Sequence, residues 1–203
     1  MASNYIKQIP NWLTYIRLGL VPLFVILLLD STGGTAKAAG VVFIVAAITD
    51  FLDGFIARKM GAESDFGKLM DPLVDKMLVL SALIMLVSLR SLESGNSWVP
   101  GWMVVLIVVR EIWVTGLRGV AASRGVVVPA GIWGKLKSAL QMVAIPMVLF
   151  YDVEISLLGL NLTSQVWGLN LLLVSIVCSY IGAYEYTASI LFPEETSSQE
   201  PIQ

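Results

Sequence analysis

The chain has 203 residues, of which 57% are hydrophobic and only 14% are charged. A soluble domain carries about 25% charged residues. The shortfall, with a mean hydropathy of +0.81, indicates that much of the surface faces lipid. The sequence has no histidine, which excludes histidine-based catalytic triads and histidine metal sites, and its single cysteine, Cys178, excludes an intrachain disulfide. Any catalysis must use carboxylates, basic residues or bound metal.

Six apolar segments approach the roughly 20 residues that a helix needs to cross a bilayer. In chain order they are Trp12–Leu29, Ala38–Phe55, Pro72–Leu89, Trp98–Gly116, Leu136–Tyr151 and Val166–Ile190. Backbone groups in lipid must find partners within their own segment, which favours helices. The sequence therefore predicts an all-α integral membrane protein with six transmembrane helices. One domain spans residues 1–192, and a polar, disordered cytoplasmic tail spans residues 193–203.

Basic residues are concentrated in alternate connections between these segments. Arg58, Lys59 and Lys68 lie between the second and third segments, and Arg124 lies between the fourth and fifth. The first, third and fifth connections have few basic residues. The positive-inside rule therefore places the second and fourth connections, and with them both termini, in the cytoplasm.

Four aspartates flank the second connection. Asp50 and Asp53 are three residues apart near the end of one predicted helix, and Asp71 and Asp75 are four residues apart at the start of the next. Each spacing places a pair on one helix face. Four carboxylates so close together at a membrane boundary repel one another, and divalent cations with oxygen ligands relieve that repulsion. The pattern predicts a metal site for phosphoryl-type transfer.

Two of the four aspartates also fit purely structural roles. Asp71 precedes Pro72 and is typical of a helix N-cap followed by proline at the first helical position, while Asp75 suits the first turn of a helix. Asp50 and Asp53 have no such explanation, because negative charge is disfavoured near a helix C-terminus.

The stretch Asp50–Asp75 reads D-x2-D-G-x2-A-R-x8-G-x3-D-x3-D at its eight fixed positions. This pattern resembles the signature of the CDP-alcohol phosphotransferases, which transfer a phosphatidyl or similar group from a CDP-linked donor to an alcohol and release CMP. The resemblance implies six transmembrane helices, a homodimer, two divalent cations (Mg²⁺ or Mn²⁺) and an active site open to the cytoplasm.

The resemblance also implies roles for the matching residues. Asp50, Asp53 and Asp71 would be metal ligands, and Asp75 would be both a ligand and the general base that deprotonates the acceptor hydroxyl. The CDP pocket would be shaped by Gly54, Ala57, Arg58 and Gly67.

The first apolar segment carries three polar residues at three-residue spacing, Asn11, Thr14 and Arg17. They share a helix face, which we interpret as lying beside the nucleotide of the CDP-lipid. The alternative is that Asn11 caps the helix and Arg17 extends its charge to the membrane surface.

Basic residues in and next to the fourth and fifth segments form a second predicted site. Its members are Arg110, Arg118, Lys135 and Lys137. Positive-inside topology explains Lys137 as readily, but Arg110 lies too deep in its helix, and buried guanidinium groups pair with carboxylates or phosphates. Pairing with Glu111 is disfavoured, because adjacent residues do not face each other on a helix. We therefore expect this site to bind the phosphate of a phosphorylated acceptor.

The opening IPNW (Ile9–Trp12) and the stretches Arg110–Arg118 and Gly134–Ala144 resemble bacterial members of this family that join CDP-diacylglycerol to sn-glycerol 3-phosphate. That resemblance implies phosphatidylglycerophosphate and CMP as products, and the cell membrane of a bacterium as location. A cardiolipin synthase or phosphatidylinositol-phosphate synthase of the same family remains an alternative, and a transporter a remote one. We expect no nucleic-acid partner.

Overall fold

The computed structural model describes residues 18–29, 33–60, 65–90, 95–124, 131–157 and 159–191. These residues are mostly helical and confirm a helix in each of the six predicted segments. The helices are α1 (Leu18–Leu29), α2 (Gly33–Met60), α3 (Asp65–Ser88), α4 (Gly101–Ser123), α5 (Ile132–Leu149) and α6 (Ser164–Leu191). The predicted tail and the first part of the first segment, including Asn11, Thr14 and Arg17, lie outside the described residues.

Among the described helices, α6 combines the length and the apolar composition needed to cross a membrane. Shorter apolar helical stretches cover Leu18–Leu29, Gly34–Thr49 and Lys76–Ser88. Large apolar side chains are also exposed in several helices, including Ile26 (61% exposed) and Ile112 (67% exposed). Exposed apolar surface on this scale marks contact with lipid or with another protein. The number of membrane spans stays a prediction.

The core lies between the helices and draws on all six of them. Its largest fully buried side chains are Phe24, Leu28, Phe43, Leu78, Leu83, Leu86, Ile107, Ile145, Leu149 and Leu172. The rings of Phe24 and Phe43 join α1 to α2 with their centroids 6.0 Å apart. These apolar contacts fix the relative positions of the helices that carry the predicted site residues.

Helices α5 and α6 pack against each other along much of their length. Their approach is closest at Gly168, where a Cβ atom would lie 2.8 Å from the carbonyl oxygen of Ala144 and 2.8 Å from Cγ2 of Val148. Two of the neighbouring atoms belong to the α5 backbone, which cannot move aside as a flexible side chain can. Glycine at this position is therefore required for close helix packing.

A two-stranded antiparallel hairpin separates α5 from α6, which the sequence analysis did not predict. Strands β1 (Glu154–Leu157) and β2 (Leu160–Thr163) pair with Ile155 opposite Leu162. Gly159, with a φ of 78°, occupies the turn in a backbone conformation that favours glycine. Apolar residues alternate with polar ones on both sides of this glycine, and that pattern could have predicted the hairpin from the sequence.

The start of α2 and the end of α5 lie at the same end of the bundle. Lys37 Nζ donates a hydrogen bond to Asp152 Oδ2 at 2.7 Å, and this bond lowers the pKa of Asp152 below its ordinary value. The two helices are also packed together through Gly40, whose Cβ would meet the ring of Phe150 at 3.0 Å. Helices α2 and α5 therefore run in opposite directions.

We expect Gly168→Ala to lower the free energy of unfolding by about 1–3 kcal/mol, because the new methyl group overpacks the α5–α6 contact. Thermal unfolding of the protein in detergent measures this change. Gly119→Ala is the matched control, since a Cβ atom there meets nothing within 4 Å. The control should be neutral or stabilising, because alanine favours a helix over glycine by up to about 1 kcal/mol. Equal melting temperatures for the two variants would contradict the close packing at Gly168.

Candidate active site

The four aspartates lie on two consecutive helices. Asp50 and Asp53 belong to the second half of α2, and Asp71 and Asp75 to the first half of α3. The structure describes the backbone at these positions, whereas the side chains of residues 50–75 lie outside the description. The predicted metal cluster therefore stays a prediction, and no group of three or more metal-binding side chains occurs among those that are described.

The alternative interpretation of Asp71 as an N-cap is wrong. Helix α3 begins at Asp65, so Asp71 lies inside the helix in its second turn. Pro72 follows it within the helix, where the missing N–H removes one hydrogen bond. Proline is typical of the first helical position, but here the helix continues through it. Asp71 therefore has no capping role, and its charge needs another explanation.

The donor set suits the divalent cations that the family signature implies. The four side chains supply only carboxylate oxygens, which Mg²⁺ and Mn²⁺ prefer. Both helices are continuous through the aspartates, so spacings of three and four residues place each pair on one side of its helix. Four residues, 61–64, separate the two helices in the sequence, and we expect a connection this short to bring the two pairs near each other.

The residues predicted to shape the CDP pocket lie on the same two helices. Gly54, Ala57 and Arg58 are in the last two turns of α2, and Gly67 is in the first turn of α3. Gly54 follows Asp50 by four residues and Gly67 precedes Asp71 by four, so each glycine shares a helix side with an aspartate. Their side-chain contacts lie outside the described residues, and the CDP pocket stays a prediction.

A buried ionic cluster surrounds Glu111 in the middle of α4. Lys137 of α5 donates a hydrogen bond to Glu111 Oε1, and Arg110 Nη1 donates to the same oxygen at 3.1 Å. Glu111, Arg110 and Lys137 are respectively 8%, 6% and 8% exposed. Buried charges in an apolar bundle are stable only when they are paired and hydrogen-bonded. We name Glu111, Arg110, Lys137 and Lys76 the Glu111 cluster.

The expectation that Arg110 and Glu111 do not pair was wrong. Adjacent residues point about 100° apart on a helix. Both side chains are long, and the Arg110 guanidinium reaches the glutamate while its Nε donates to the backbone carbonyl of Ser179 on α6 at 2.8 Å. Arg110 thus links α4 to α6 by a hydrogen bond and also pairs with Glu111. The deep burial of Arg110 in α4 therefore has a structural explanation in addition to the predicted phosphate contact.

Lys76 connects the aspartate-bearing helix to the Glu111 cluster, a role that the sequence analysis did not assign. Its Nζ lies 2.7 Å from Thr115 Oγ1 and 3.8 Å from Glu111 Oε2. Lys76 follows Asp75 directly in α3, and Thr115 lies one turn after Glu111 in α4. The turn of α3 that carries Asp75 therefore lies beside the turn of α4 that carries Glu111. No local pattern in the sequence indicates this contact between two helices.

The other two predicted phosphate-binding residues are exposed and lie outside this cluster. The Arg118 guanidinium carbon is 5.5 Å from the centroid of the Tyr186 ring on α6, a cation–π arrangement. Lys135 is exposed near the start of α5, whereas Lys137 is buried. Residues two apart do not share a helix face. The structure thus brings together Arg110 and Lys137 of the four, and places Arg118 and Lys135 at the exposed ends of their helices.

Two buried polar groups lie on the helices that hold the cluster. Gln141 Nε2 on α5 and Ser179 Oγ on α6 have no hydrogen-bond partner among the described residues. Gln141 follows Lys137 by one turn, and the carbonyl of Ser179 accepts the bond from Arg110. Buried polar groups in native proteins are normally paired. Hydrogen-bonding capacity therefore remains next to the cluster.

A groove of about 330 Å³ lies between α4 and α6 and shares Arg110 with the Glu111 cluster. Its lining consists of Val109, Arg110, Trp113, Tyr180, Ala183, Tyr184 and Thr187. The indole N–H of Trp113 donates to the Thr187 hydroxyl, and the Tyr180 hydroxyl donates to the carbonyl of Leu106. Apart from Arg110, the lining is therefore largely apolar, and the polar groups of Trp113, Thr187 and Tyr180 already have protein partners.

We expect Asp71→Ala to abolish stabilisation by divalent cations. Adding Mg²⁺ or Mn²⁺ at about 100 times its dissociation constant raises the stability of a binding protein by about 2.7 kcal/mol. Thermal unfolding in detergent should show this increase for the wild type and lose it for the variant. In chelator, the variant should be no less stable than the wild type, because one of four mutually repelling charges is gone.

Asp65→Ala is the matched control, since Asp65 is the first residue of the same helix. This control should keep the stabilisation by metal. An Asp71→Ala protein that is stabilised by metal as strongly as the wild type would contradict the assignment of Asp71 as a ligand.

Comparison with known proteins shows the family to which the chain belongs. The sequence profile of the CDP-alcohol phosphatidyltransferase family matches residues 7–184. The chain is 35% identical over 192 residues to a CDP-diacylglycerol–glycerol-3-phosphate 3-phosphatidyltransferase of Bacillus subtilis, with 88% of this chain and 93% of the relative covered. It is 32% identical over 180 residues to the Rickettsia typhi protein of the same name, covering 89% and 95%.

A probable phosphatidylglycerophosphate synthase of Mycobacterium tuberculosis is 44% identical over 144 residues, covering 69% of this chain and 65% of the relative. The matched region contains both the aspartate helices and the Glu111 cluster. The agreement of profile, relatives and signature identifies the chain as a member of the CDP-alcohol phosphatidyltransferase family.

Proposed function

We propose that the chain transfers the phosphatidyl group of CDP-diacylglycerol to sn-glycerol 3-phosphate, giving phosphatidylglycerophosphate and CMP. The observation that carries this proposal is the contact of Lys76 with Thr115 and its approach to Glu111. Through that contact, a buried cationic cluster suited to an acceptor phosphate adjoins the helix turn that bears Asp75. The names of the Bacillus subtilis and Rickettsia typhi relatives support the same pair of substrates.

The proposed reaction requires the chain to bind the acceptor, to remove a proton from its hydroxyl and to hold the CDP-lipid. Arg110 and Lys137 bind the phosphate of glycerol 3-phosphate, with Arg118 and Lys135 attracting it at the exposed helix ends. Asp75 takes the proton from the attacking primary hydroxyl. The hydroxyl oxygen bonds to the phosphatidyl phosphorus as the bond from that phosphorus to the CMP oxygen breaks.

The aspartates would also hold the divalent cations. Asp50, Asp53, Asp71 and Asp75 are the proposed ligands of two Mg²⁺ or Mn²⁺ ions, which when bound offset the negative charge of the donor pyrophosphate. Around them, Gly54, Ala57, Arg58 and Gly67 would shape the CDP pocket. The face of Asn11, Thr14 and Arg17 would lie beside the nucleotide.

We further propose a six-span protein of a bacterial cell membrane, acting as a homodimer, with its active site facing the cytoplasm. Basic residues at the aspartate end of the bundle support this orientation. The ion pair of Lys37 with Asp152 lies at the other end. The exposed apolar side chains of α1, α2, α4 and α6 support contact with lipid.

An acceptor panel tests this proposal most simply. The purified protein in detergent with CDP-diacylglycerol and Mg²⁺ or Mn²⁺ should release CMP with glycerol 3-phosphate and not with phosphatidylglycerol or inositol phosphate. Mass spectrometry should identify phosphatidylglycerophosphate as the lipid product. Product with phosphatidylglycerol or inositol phosphate, and none with glycerol 3-phosphate, would assign the chain to another branch of the family.

Asp75→Asn should lower the turnover number by about 10²–10⁴-fold, because the amide cannot accept the hydroxyl proton. CMP release at saturating concentrations of both substrates measures the change. The melting temperature of the variant in chelator should stay at or above that of the wild type, which separates loss of catalysis from loss of fold. Full metal-dependent turnover in a well-folded Asp75→Asn protein would disprove the role of Asp75.

Arg110→Ala should raise the KM for glycerol 3-phosphate by about 10–100-fold, as expected for losing a charged hydrogen bond to phosphate. The KM for CDP-diacylglycerol should change less than about twofold, since nothing in this proposal links Arg110 to the donor. Steady-state kinetics with each substrate varied in turn distinguishes the two. Because Arg110 also bonds to Ser179, an equal rise in both KM values would show that its role is structural.

A further inference from the structure

Glu111 is a buried acidic residue inside a site proposed to bind an anion. Its carboxylate accepts hydrogen bonds from Lys137 on α5 and Arg110 on α4, and Lys76 of α3 lies 3.8 Å from its second oxygen. Negative charge at this place opposes an incoming phosphate by direct repulsion. If Glu111 contributes to the reaction, it therefore does so through its effect on the positions of the basic groups around it.

The basic groups could not keep this arrangement without the carboxylate. Lys137 and Arg110 are each at least nine-tenths buried and meet at one oxygen atom of Glu111. Two cations so close together in a low-dielectric interior repel each other strongly. Long lysine and arginine side chains relieve such repulsion by turning away, at a cost of little more than rotamer strain. Glu111 removes the repulsion and fixes where both cationic groups point.

The contacts of Arg110 leave binding capacity for another anion. A guanidinium group has five N–H donors. Arg110 uses its Nε for the Ser179 carbonyl and its Nη1 for Glu111, while its Nη2 lies on the side of Gly182, where a Cβ atom would lie 3.6 Å away. A phosphate can therefore share the Arg110 guanidinium with Glu111.

We propose that Glu111 is a positioning residue for the acceptor: it holds Lys137 and Arg110 in the orientation that binds the phosphate of the acceptor alcohol. This inference rests on the proposed function. Its consequence is that removing a negative charge from the site weakens the binding of a negatively charged substrate. A carboxylate that merely repelled phosphate would have the opposite effect.

Glu111→Gln should raise the KM for glycerol 3-phosphate by about tenfold or more and leave the KM for CDP-diacylglycerol within about twofold, by steady-state CMP release. Glu111→Asp keeps the charge on a shorter side chain and should restore most of the affinity. Glu185→Gln is the matched control, since Glu185 is an exposed glutamate of α6, and should change neither constant. Lower KM for glycerol 3-phosphate in Glu111→Gln, or an equal rise for both substrates, would overturn the proposal.

A double-mutant cycle with Lys137→Met separates positioning from a purely structural role, and its comparison of Lys137→Met with the double variant remains available if Glu111→Gln alone folds poorly. The double variant removes both charges of the Lys137–Glu111 pair, and Arg110 keeps its hydrogen bond to the Ser179 carbonyl. If Glu111 acts through Lys137, adding Glu111→Gln to Lys137→Met should raise the KM for glycerol 3-phosphate much less than adding it to the wild type. Fully additive effects would overturn the proposal.

Failure of the proposed function has a different outcome in the same experiments. In that case the wild type forms no product with glycerol 3-phosphate, and another alcohol supports CMP release. A wild type that uses glycerol 3-phosphate, with variants that do not show the selective change in KM, contradicts the role of Glu111 alone.

Discussion

The arrangement of the helices around the candidate site depends on one buried carboxylate. Glu111 accepts hydrogen bonds from Lys137 and Arg110 and approaches Lys76, so that α3, α4 and α5 meet at a single side chain. Arg110 extends the connection to α6 through the carbonyl of Ser179. Buried charges in an apolar bundle are stable only when they are paired. Sliding one of these helices along another would separate the paired charges, so the ion pairs fix the relative positions of the helices.

The remaining features fit around this constraint. The outer surface carries exposed apolar side chains, whereas the charges lie inside or at the helix ends, as expected for a chain in lipid. Small residues permit the close packing: glycine at position 168 allows the α5 backbone to approach, and at Gly182 an added Cβ atom would lie 3.0 Å from the Cβ atom of Trp133. The contact of Lys76 with Thr115 then brings the aspartate-bearing part of α3 to the edge of the cluster.

Much of the fold was predictable because its signals are local. Long apolar segments predicted all six helices, and the aspartate spacing predicted the family, which the profile match confirmed. Helix ends were less predictable, since Pro72 was read as a helix start although α3 begins at Asp65. The hairpin between α5 and α6 was missed because two short strands give little periodic signal beside long apolar helices.

The cluster was only partly predictable because it depends on contacts between distant parts of the chain. Arg110 was identified by its charge deep in an apolar segment, and Lys137 as one of the basic residues that open the fifth segment. Glu111 was rejected as a partner of Arg110 on the ground that adjacent residues do not face each other. That rule describes the directions of Cβ atoms and not the reach of a guanidinium group. Lys76 lies within the third apolar segment, and its contact with α4 follows from the packing of α3, which no local pattern reveals.

The most direct test of the account is to locate the acceptor in a structure of the protein determined in lipid with glycerol 3-phosphate bound. The account predicts the phosphate within hydrogen-bond distance of Lys137 Nζ and the Arg110 guanidinium, with both groups still in contact with Glu111. The free hydroxyl of the acceptor should point toward Asp75. A phosphate bound away from the Glu111 cluster, with Lys137 and Arg110 engaged only by protein groups, would contradict the account.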